Sequence, residues 1–266
     1  MTAARLDEIS GLAVSRQNPD ILWMHNDGSL KEIFAVATGG KLVARVRIPT
    51  AIDDVEDIAI GPGPESGKDY VYLGDIGDND EKRREVRLIR FSEPTLTQPV
   101  EKEFSAEGVE TIRLLYPDGP HNAEALLIEQ QTGDIYIVTK EKTRARLYRA
   151  TASKLSGNLP AALEFVAHLN VDDISAGDMS RAGNLVILRK ENQGWIWSRR
   201  PREGLAVALR RAPRPVVVLS DGQSPNGESV GFSPDGTSYY TVSEGKRQPI
   251  AVFPVPAAAM STTPGG

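Results

Sequence analysis

Asp54-Val55-Glu56-Asp57-Ile58-Ala59-Ile60 decides the fold, because the chain writes this pattern five times. In each copy an acid or amide, one spacer, then Glu or Ser opens an apolar run. The copies are Glu8-Ile9-Ser10 before GLAVS, Asp54-Val55-Glu56 before DIAI, Asn122-Ala123-Glu124 before ALLI, Asp173-Ile174-Ser175 before AGDMS and Asn226-Gly227-Glu228 before SVGF. They recur at intervals of roughly 50 residues, and the count from Asn226 through the C-terminus back to Glu8 closes on a similar interval. A period of that length, filled with short strands, predicts propeller blades rather than a helical solenoid.

Outward from the phrase, each unit holds a first strand, a polar Gly turn and a β-branched or aromatic second strand. The second strands read Ile21–Met24, Tyr70–Leu73, Ile135–Val138, Leu185–Leu188 and Tyr239–Val242. Third strands follow as EIFAVAT, VRLIRF, ARLYRAT, GWIWSRR and PIAVFPV, and fourth strands as LVARVRI, ETIRLLY, EFVAHLNV and RPVVVLS. Unit five has no fourth strand of its own. Ala3-Ala4-Arg5-Leu6 stands where one belongs, so the N-terminus is expected to complete the last blade and close the ring. The expectation is an all-β, five-bladed β-propeller, with six blades as the alternative. It forms one domain over residues 1–258 with a flexible tail at 259–266. The second unit is longer than the others, and its excess between Ser92 and Glu110, EPTLTQPVEKEFSAEG, reads as an exposed loop.

With 266 residues, 40% hydrophobic and 25% charged, the chain can bury one sizeable core. A net charge of −5 argues against a general nucleic-acid binder, whose affinity comes from Lys and Arg on phosphates. No apolar run approaches the ~18 residues of a membrane span, and no signal-peptide pattern is present. A soluble protein is expected, periplasmic or secreted if a leader has been removed and otherwise cytoplasmic, with oligomeric state open. The absence of cysteine excludes disulfides, thiolate metal sites and cysteine nucleophiles. GxGxxG, the P-loop, GxSxG, HExxH and the EF-hand pattern are all missing.

The first strand of a propeller blade lines the central channel, so the five phrases set two rings of side chains at one mouth. Glu8, Asp54, Asn122, Asp173 and Asn226 form one ring, and Ser10, Glu56, Glu124, Ser175 and Glu228 the other. Spacing by two in an extended strand sends both side chains the same way. Six carboxylates crowded together cannot all stay ionised without a cation or shared protons. An oxygen-only set of Asp, Glu, Asn and Ser suits a hard cation, so a calcium ion on the axis is expected. The competing reading makes these residues fasteners that hydrogen-bond neighbouring blades.

The second strand ends at the same mouth. Those ends read His25-Asn26-Asp27-Gly28, Gly74-Asp75-Ile76-Gly77-Asp78-Asn79, Lys140-Glu141-Lys142, Arg189-Lys190-Glu191 and Ser243-Glu244-Gly245-Lys246. His25 is the leading general-base candidate, Asp27 and Asp75 are alternatives or further ligands, and Lys140 or Arg189 would steady negative charge. HNDG and DIGDND also read as ordinary Asx turns at hairpin ends. His121 lies beside copy three on the same rim, whereas His168 belongs to an outer strand and Trp195 and Trp197 to interblade packing.

EISGLAVS with WMHNDG, VEDIAI with GDIGDN, and YPDGPHNAEALL together resemble the bacterial propellers grouped as SdiA-regulated or esterase-like phytase domains. The opening of the inner strand is also similar to that of the calcium-dependent propeller hydrolases, namely gluconolactonases, diisopropylfluorophosphatases and paraoxonases. That resemblance implies an axial calcium held by one Glu, Asn or Asp per blade, acting directly on a phosphoester or lactone. By position its ligands here would be Glu56, Glu124 and Glu228, with Asp54, Asn122, Asp173 and Asn226 in reserve. Two departures stand: five blades where those enzymes have six, and Ser10 and Ser175 where an acid or amide is expected. The function expected is calcium-dependent hydrolysis of a small phosphoester, phosphotriesters included. Aryl esters or lactones are the next substrates, and a non-catalytic calcium-stabilised binding propeller is the rival.

Overall fold

The computed structural model describes residues 6–29, 31–96, 102–157, 159–219 and 227–260. Blade one is β1 (Ile9–Val14), β2 (Ile21–Asn26), β3 (Glu32–Ala37) and β4 (Leu42–Arg47). Blade two begins with β5 (Val55–Pro62), β6 (Asp69–Asp75) and β7 (Val86–Ser92); β8 (Lys102–Ser105) and β9 (Glu110–Leu115) follow. Blade three is β10 (Ala123–Ile128), β11 (Ile135–Thr139), β12 (Arg146–Ala150) and β14 (Glu164–His168), with the short β13 (Ala161–Ala162) before its last strand. Blade four is β15 (Ala176–Met179), β16 (Leu185–Lys190), β17 (Gln193–Ser198) and β18 (Arg214–Val216), with α1 (Leu205–Leu209) before β18. Blade five is β19 (Ser229–Phe232), β20 (Ser238–Val242) and β21 (Ala251–Pro254), followed by α2 (Ala257–Met260). Five antiparallel meanders in a ring make a five-bladed β-propeller.

Strand alternation builds the ring. Along β2, Trp23 faces blade two and joins Ile58, Val71 and Phe91 in one core, while Leu22 and Met24 face blade five and meet Val242 in another. Further cores fill the spaces between blades two and three, three and four, and four and five. Trp197 is buried in the gap between blades three and four, as its alternation predicts. The core between blades five and one also holds Leu6, and the backbone N of Gly245 donates to the Asp7 carbonyl at 2.8 Å. Inner strands β19 and β1 approach so closely that a Cβ on Gly231 would collide with the Leu12 side chain. Side-chain packing thus closes the ring among the described residues. The expected closing strand at Ala3-Ala4-Arg5 lies outside them.

The excess of the second unit is not simply an exposed loop. Its β8 crosses back to pair in parallel with β4, giving blade one a fifth, outermost strand. Ahead of it, Glu93 is buried and accepts from Ser15 Oγ at 2.5 Å, Trp23 Nε1 at 2.8 Å and the Arg16 backbone at 3.1 Å. That carboxylate fastens blade two to blade one beneath a segment whose composition reads as polar linker. β13 likewise pairs in parallel with β9 of the preceding blade. At the other end, Ala259 of α2 is buried in the core between blades four and five, carrying packed chain past the expected boundary at 258.

Candidate functional site

Three inner strands carry a β-bulge at the same place. The register shifts between Ile9 and Gly11 in β1, between Val55 and Asp57 in β5, and between Ala123 and Ala125 in β10. Each bulged residue is the third of its phrase: Ser10, Glu56 and Glu124. Bulges re-aim side chains, and here they replace the regular alternation expected from sequence.

The two residue types at that position do different work. Ser10 Oγ donates to the Glu56 carbonyl at 2.9 Å, joining blades one and two, and Ser175 Oγ donates to the Gly227 carbonyl at 3.2 Å, joining blades four and five. These are fasteners. The Glu copies instead gather charge at the mouth. One carboxylate oxygen each from Asp27, Asp54 and Glu56 lies within 4.8 Å of the others, Asp27 exposed and Glu56 only 5% exposed. Gly77 makes room for them, since a Cβ there would collide with Glu56 Oε1 and Asp54 Oδ2.

Burial, reinforced by Glu124 and Asp27, pushes the Glu56 carboxyl up to about 10. Burial followed by Glu124 and Glu244 pushes Glu228 up to about 8. Asp54 and Glu124 are raised as well, in both cases mainly by burial. Lys140 Nζ binds Glu124 Oε2 at 2.7 Å and opposes that rise. Glu124 therefore already has a cation, whereas Asp27, Asp54 and Glu56 crowd one another. An oxygen-only donor set, a glycine cradle and mutual repulsion together fit a hard cation such as calcium.

The other residues singled out from sequence fall into place around this cluster. Asn122 Oδ1 accepts from the Asp78 backbone at 2.8 Å, and its Nδ2 donates to Asn79 Oδ1 at 3.1 Å, tying the β6–β7 loop to blade three. Asp173 adopts a left-handed φ of 54° and adds negative charge near Lys140. Glu8 is exposed and takes no part in the cluster; its carbonyl accepts from Asp27 N at 2.7 Å. Asn226 lies outside the described residues.

Asp75 is fully buried, accepts from the Asp54 backbone at 2.9 Å and pairs with Arg83 at 2.9 Å and Arg87 at 2.8 Å. Its oxygens are occupied in holding the loop that carries Asp54. Arg189 is also fully buried. Its guanidinium donates to the carbonyls of Ser229 at 3.1 Å and Glu191 at 2.6 Å, and burial lowers its pKa to about 10. It braces blade four against blade five rather than facing the mouth. His25 has no solvent exposure: Nδ1 donates to the Asn26 carbonyl at 2.8 Å, and Nε2, packed over Gly11, has no partner among the described residues. Burial lowers its pKa to about 4. A general base must reach a substrate proton, and this imidazole is sealed between strands.

Sequence reasoning passed over two acids deeper in the channel. Asp57 accepts from Ile58 N at 2.9 Å and Leu126 N at 2.8 Å, and Asp178 from Met179 N at 2.7 Å and Phe232 N at 2.7 Å. Each stitches its inner strand to that of the next blade. The signal was present as an acid interrupting the apolar runs DIAI and AGDMS.

No family model matches this chain, and no curated protein matches it. Solved structures do resemble it. A chain from Bacteroides uniformis provisionally named a 6-phosphogluconolactonase is 14% identical with a TM-score of 0.46, covering 94% of this chain and 68% of its own. A chain of a nidogen/laminin complex is 12% identical with a TM-score of 0.47, over 90% and 73%. Hydrazine synthase of Kuenenia stuttgartiensis is 12% identical with a TM-score of 0.45, over 93% and 84%. At these scores the likenesses carry no argument about activity, and the five-bladed ring stands on its own strand pairing. No helix among the described residues is long and apolar enough to cross a membrane.

Proposed function

We propose that the chain is a calcium-dependent hydrolase acting at the channel mouth on small phosphoesters, phosphotriesters included, with aryl esters or lactones as the second substrate class. The observation that carries this reading is the convergence of Asp27, Asp54 and Glu56 on one point, next to Glu124 with its Lys140 partner. Asp54 and Glu56, with Glu228 at the border, would hold the ion. Calcium bound there would supply a Lewis acid for a phosphoryl or carbonyl oxygen. Exposed Asp27 is the carboxylate placed to orient or deprotonate a water, a role that passes to it from the sealed His25. The Lys140 ammonium, partly exposed over Glu124, presents positive charge to an anionic oxygen forming at the mouth. The sequence resemblance to calcium-dependent propeller hydrolases supports a calcium at this mouth held in part by Glu56, but by position it also uses Glu124, which here pairs with Lys140.

One observation favours the non-catalytic alternative, a calcium-stabilised binding propeller. Both His25 and Arg189, which would complete an acid–base and charge-steadying set, are engaged inside the structure. Fold does not decide between the readings, because propellers host both. Hydrolysis of activated phosphate triesters, diesters, aryl esters and lactones, before and after chelation with calcium add-back, separates them. Turnover lost to the chelator and restored by calcium is the expected result. No turnover on any substrate, together with a chelator-sensitive melting temperature, overturns the hydrolase in favour of the binding propeller.

A further inference from the structure

The face of blade four opposite the mouth concentrates positive charge in a chain whose net charge is −5. Residues 199–214 hold six arginines, no lysine and one acid, Glu203, and Arg181 adds a further guanidinium from the turn between β15 and β16.

The strand registers place these residues together. Inner strands begin at the mouth, so the β15–β16 turn lies at the far end of the blade. β17 pairs antiparallel with β16, Ser198 opposite Leu185, which brings the start of the arginine-rich segment to the same end. Arg199 ties the two pieces: its backbone N donates to the Asn184 carbonyl at 2.7 Å and its Nη1 to the Gly183 carbonyl at 3.4 Å. Arg199 also pairs with buried Glu129, and Arg211 pairs with Glu203 and donates to the Ser198 carbonyl at 2.5 Å. These two guanidiniums hold the segment against the blade, and α1 turns Leu205, Ala208 and Leu209 inward.

The other five are presented to solvent. Arg181, Arg200, Arg202, Arg210 and Arg214 are exposed, and the side chains of Arg181, Arg202, Arg210 and Arg214 form no ion pair among the described residues. Arg202 sits in the left-handed region at φ 65°, where glycine is the favoured residue, yet the chain keeps a long cation there. Between Arg202 and Arg210, Val207 of α1 is 54% exposed.

The chemistry selects the partner. Guanidinium groups are weakly hydrated and bind phosphate oxygens in a bidentate way, which suits an array made of arginine alone. The segment has no aromatic residue on which bases could stack, and it carries an apolar tip that a lipid boundary accepts. We propose that this face docks on an anionic phospholipid bilayer, with the five exposed arginines at the headgroup phosphates and Val207 at the acyl boundary. Docked in this way, the protein keeps its mouth turned away from the bilayer and open to solvent, whatever the mouth binds. Each arginine contributes roughly fivefold in affinity at such a surface, so attachment is reversible and weakens with salt.

The test is flotation of the full chain with vesicles of phosphatidylcholine alone or in equal parts with phosphatidylglycerol, at low and high salt. A chelator is present throughout, so that calcium cannot bridge protein and lipid. The account expects binding to the anionic vesicles alone, lost at high salt, and weakened roughly fivefold in Arg210→Gln and in Arg202→Gly. Because glycine suits the Arg202 backbone, Arg202→Gly should keep or raise the melting temperature, which separates lost binding from lost folding. Lys142→Gln removes an exposed cation on the mouth side and should leave binding unchanged, as should Glu56→Gln, so failure here is distinct from failure of the calcium mouth. Equal binding to both vesicle types, native affinity in Arg202→Gly, an equal loss in Lys142→Gln, or tighter capture by duplex DNA or polyglutamate than by the anionic vesicles would each overturn the assignment.

Discussion

Protonating His25 should destabilise the propeller sharply in mild acid. The imidazole has no solvent exposure, Nε2 has no partner among the described residues, and burial lowers the pKa from 6.5 to about 4. A depressed folded-state pKa means that the native state resists a proton the unfolded chain accepts. The associated stability is complete above pH 6.5 and is lost as the pH falls through about 4. At about 1.4 kcal/mol per pH unit, the gap between the two pKa values amounts to about 3 kcal/mol. Urea unfolding of the native chain and of His25→Phe, both at pH 7 and pH 4, isolates this contribution, because every other titrating group is shared. The native chain should lose about 3 kcal/mol more than the variant over that interval. An NMR titration showing His25 ionising near 6.5, or parallel losses in the two proteins, would refute the reasoning.

Other perturbations follow from the same geometry. Glu93→Ala strands the buried donors of Ser15, Trp23 and Arg16 and should cost about 3 kcal/mol in chemical unfolding, though the segment looks like a surface linker in sequence. Gly77→Ala should lower calcium affinity by on the order of tenfold in calorimetry while the melting temperature of the chelated protein changes little, because its Cβ would push Glu56 and Asp54 apart. Lys140→Met should destabilise the calcium-free protein by about 2 kcal/mol, since it leaves Glu124 buried without its cation. Part of that loss should return when calcium is added.

The blade plan was legible because each blade repeats its own hydrophobic alternation, and the five phrases mark where each inner strand begins. The mouth was legible only as a collection of residue types. Sequence equates Ser10 with Glu56, yet one is a backbone fastener and the other a buried acid, and the bulge that turns both cannot be read from spacing by two. Asp75 and Arg189 looked like rim residues because they end second strands. Which way a strand-end side chain turns depends on the next loop, and here the loops supply Arg83 and Arg87 to Asp75 and backbone carbonyls to Arg189. His25 was misleading for a related reason: it pairs with Gly11, whose missing side chain lets the imidazole lie flat inside the blade. Strand β8 was hidden because parallel pairing with an earlier blade leaves no local turn signal.

The central claim is a calcium site built by Asp27, Asp54 and Glu56, and the most direct test is calorimetric calcium binding to the chelated native chain, Glu56→Gln and Glu8→Gln. The account predicts about one calcium per chain, an affinity reduced at least on the order of tenfold in Glu56→Gln, and no change in Glu8→Gln. No calcium binding by the native chain, or equal affinity in Glu56→Gln, would contradict it.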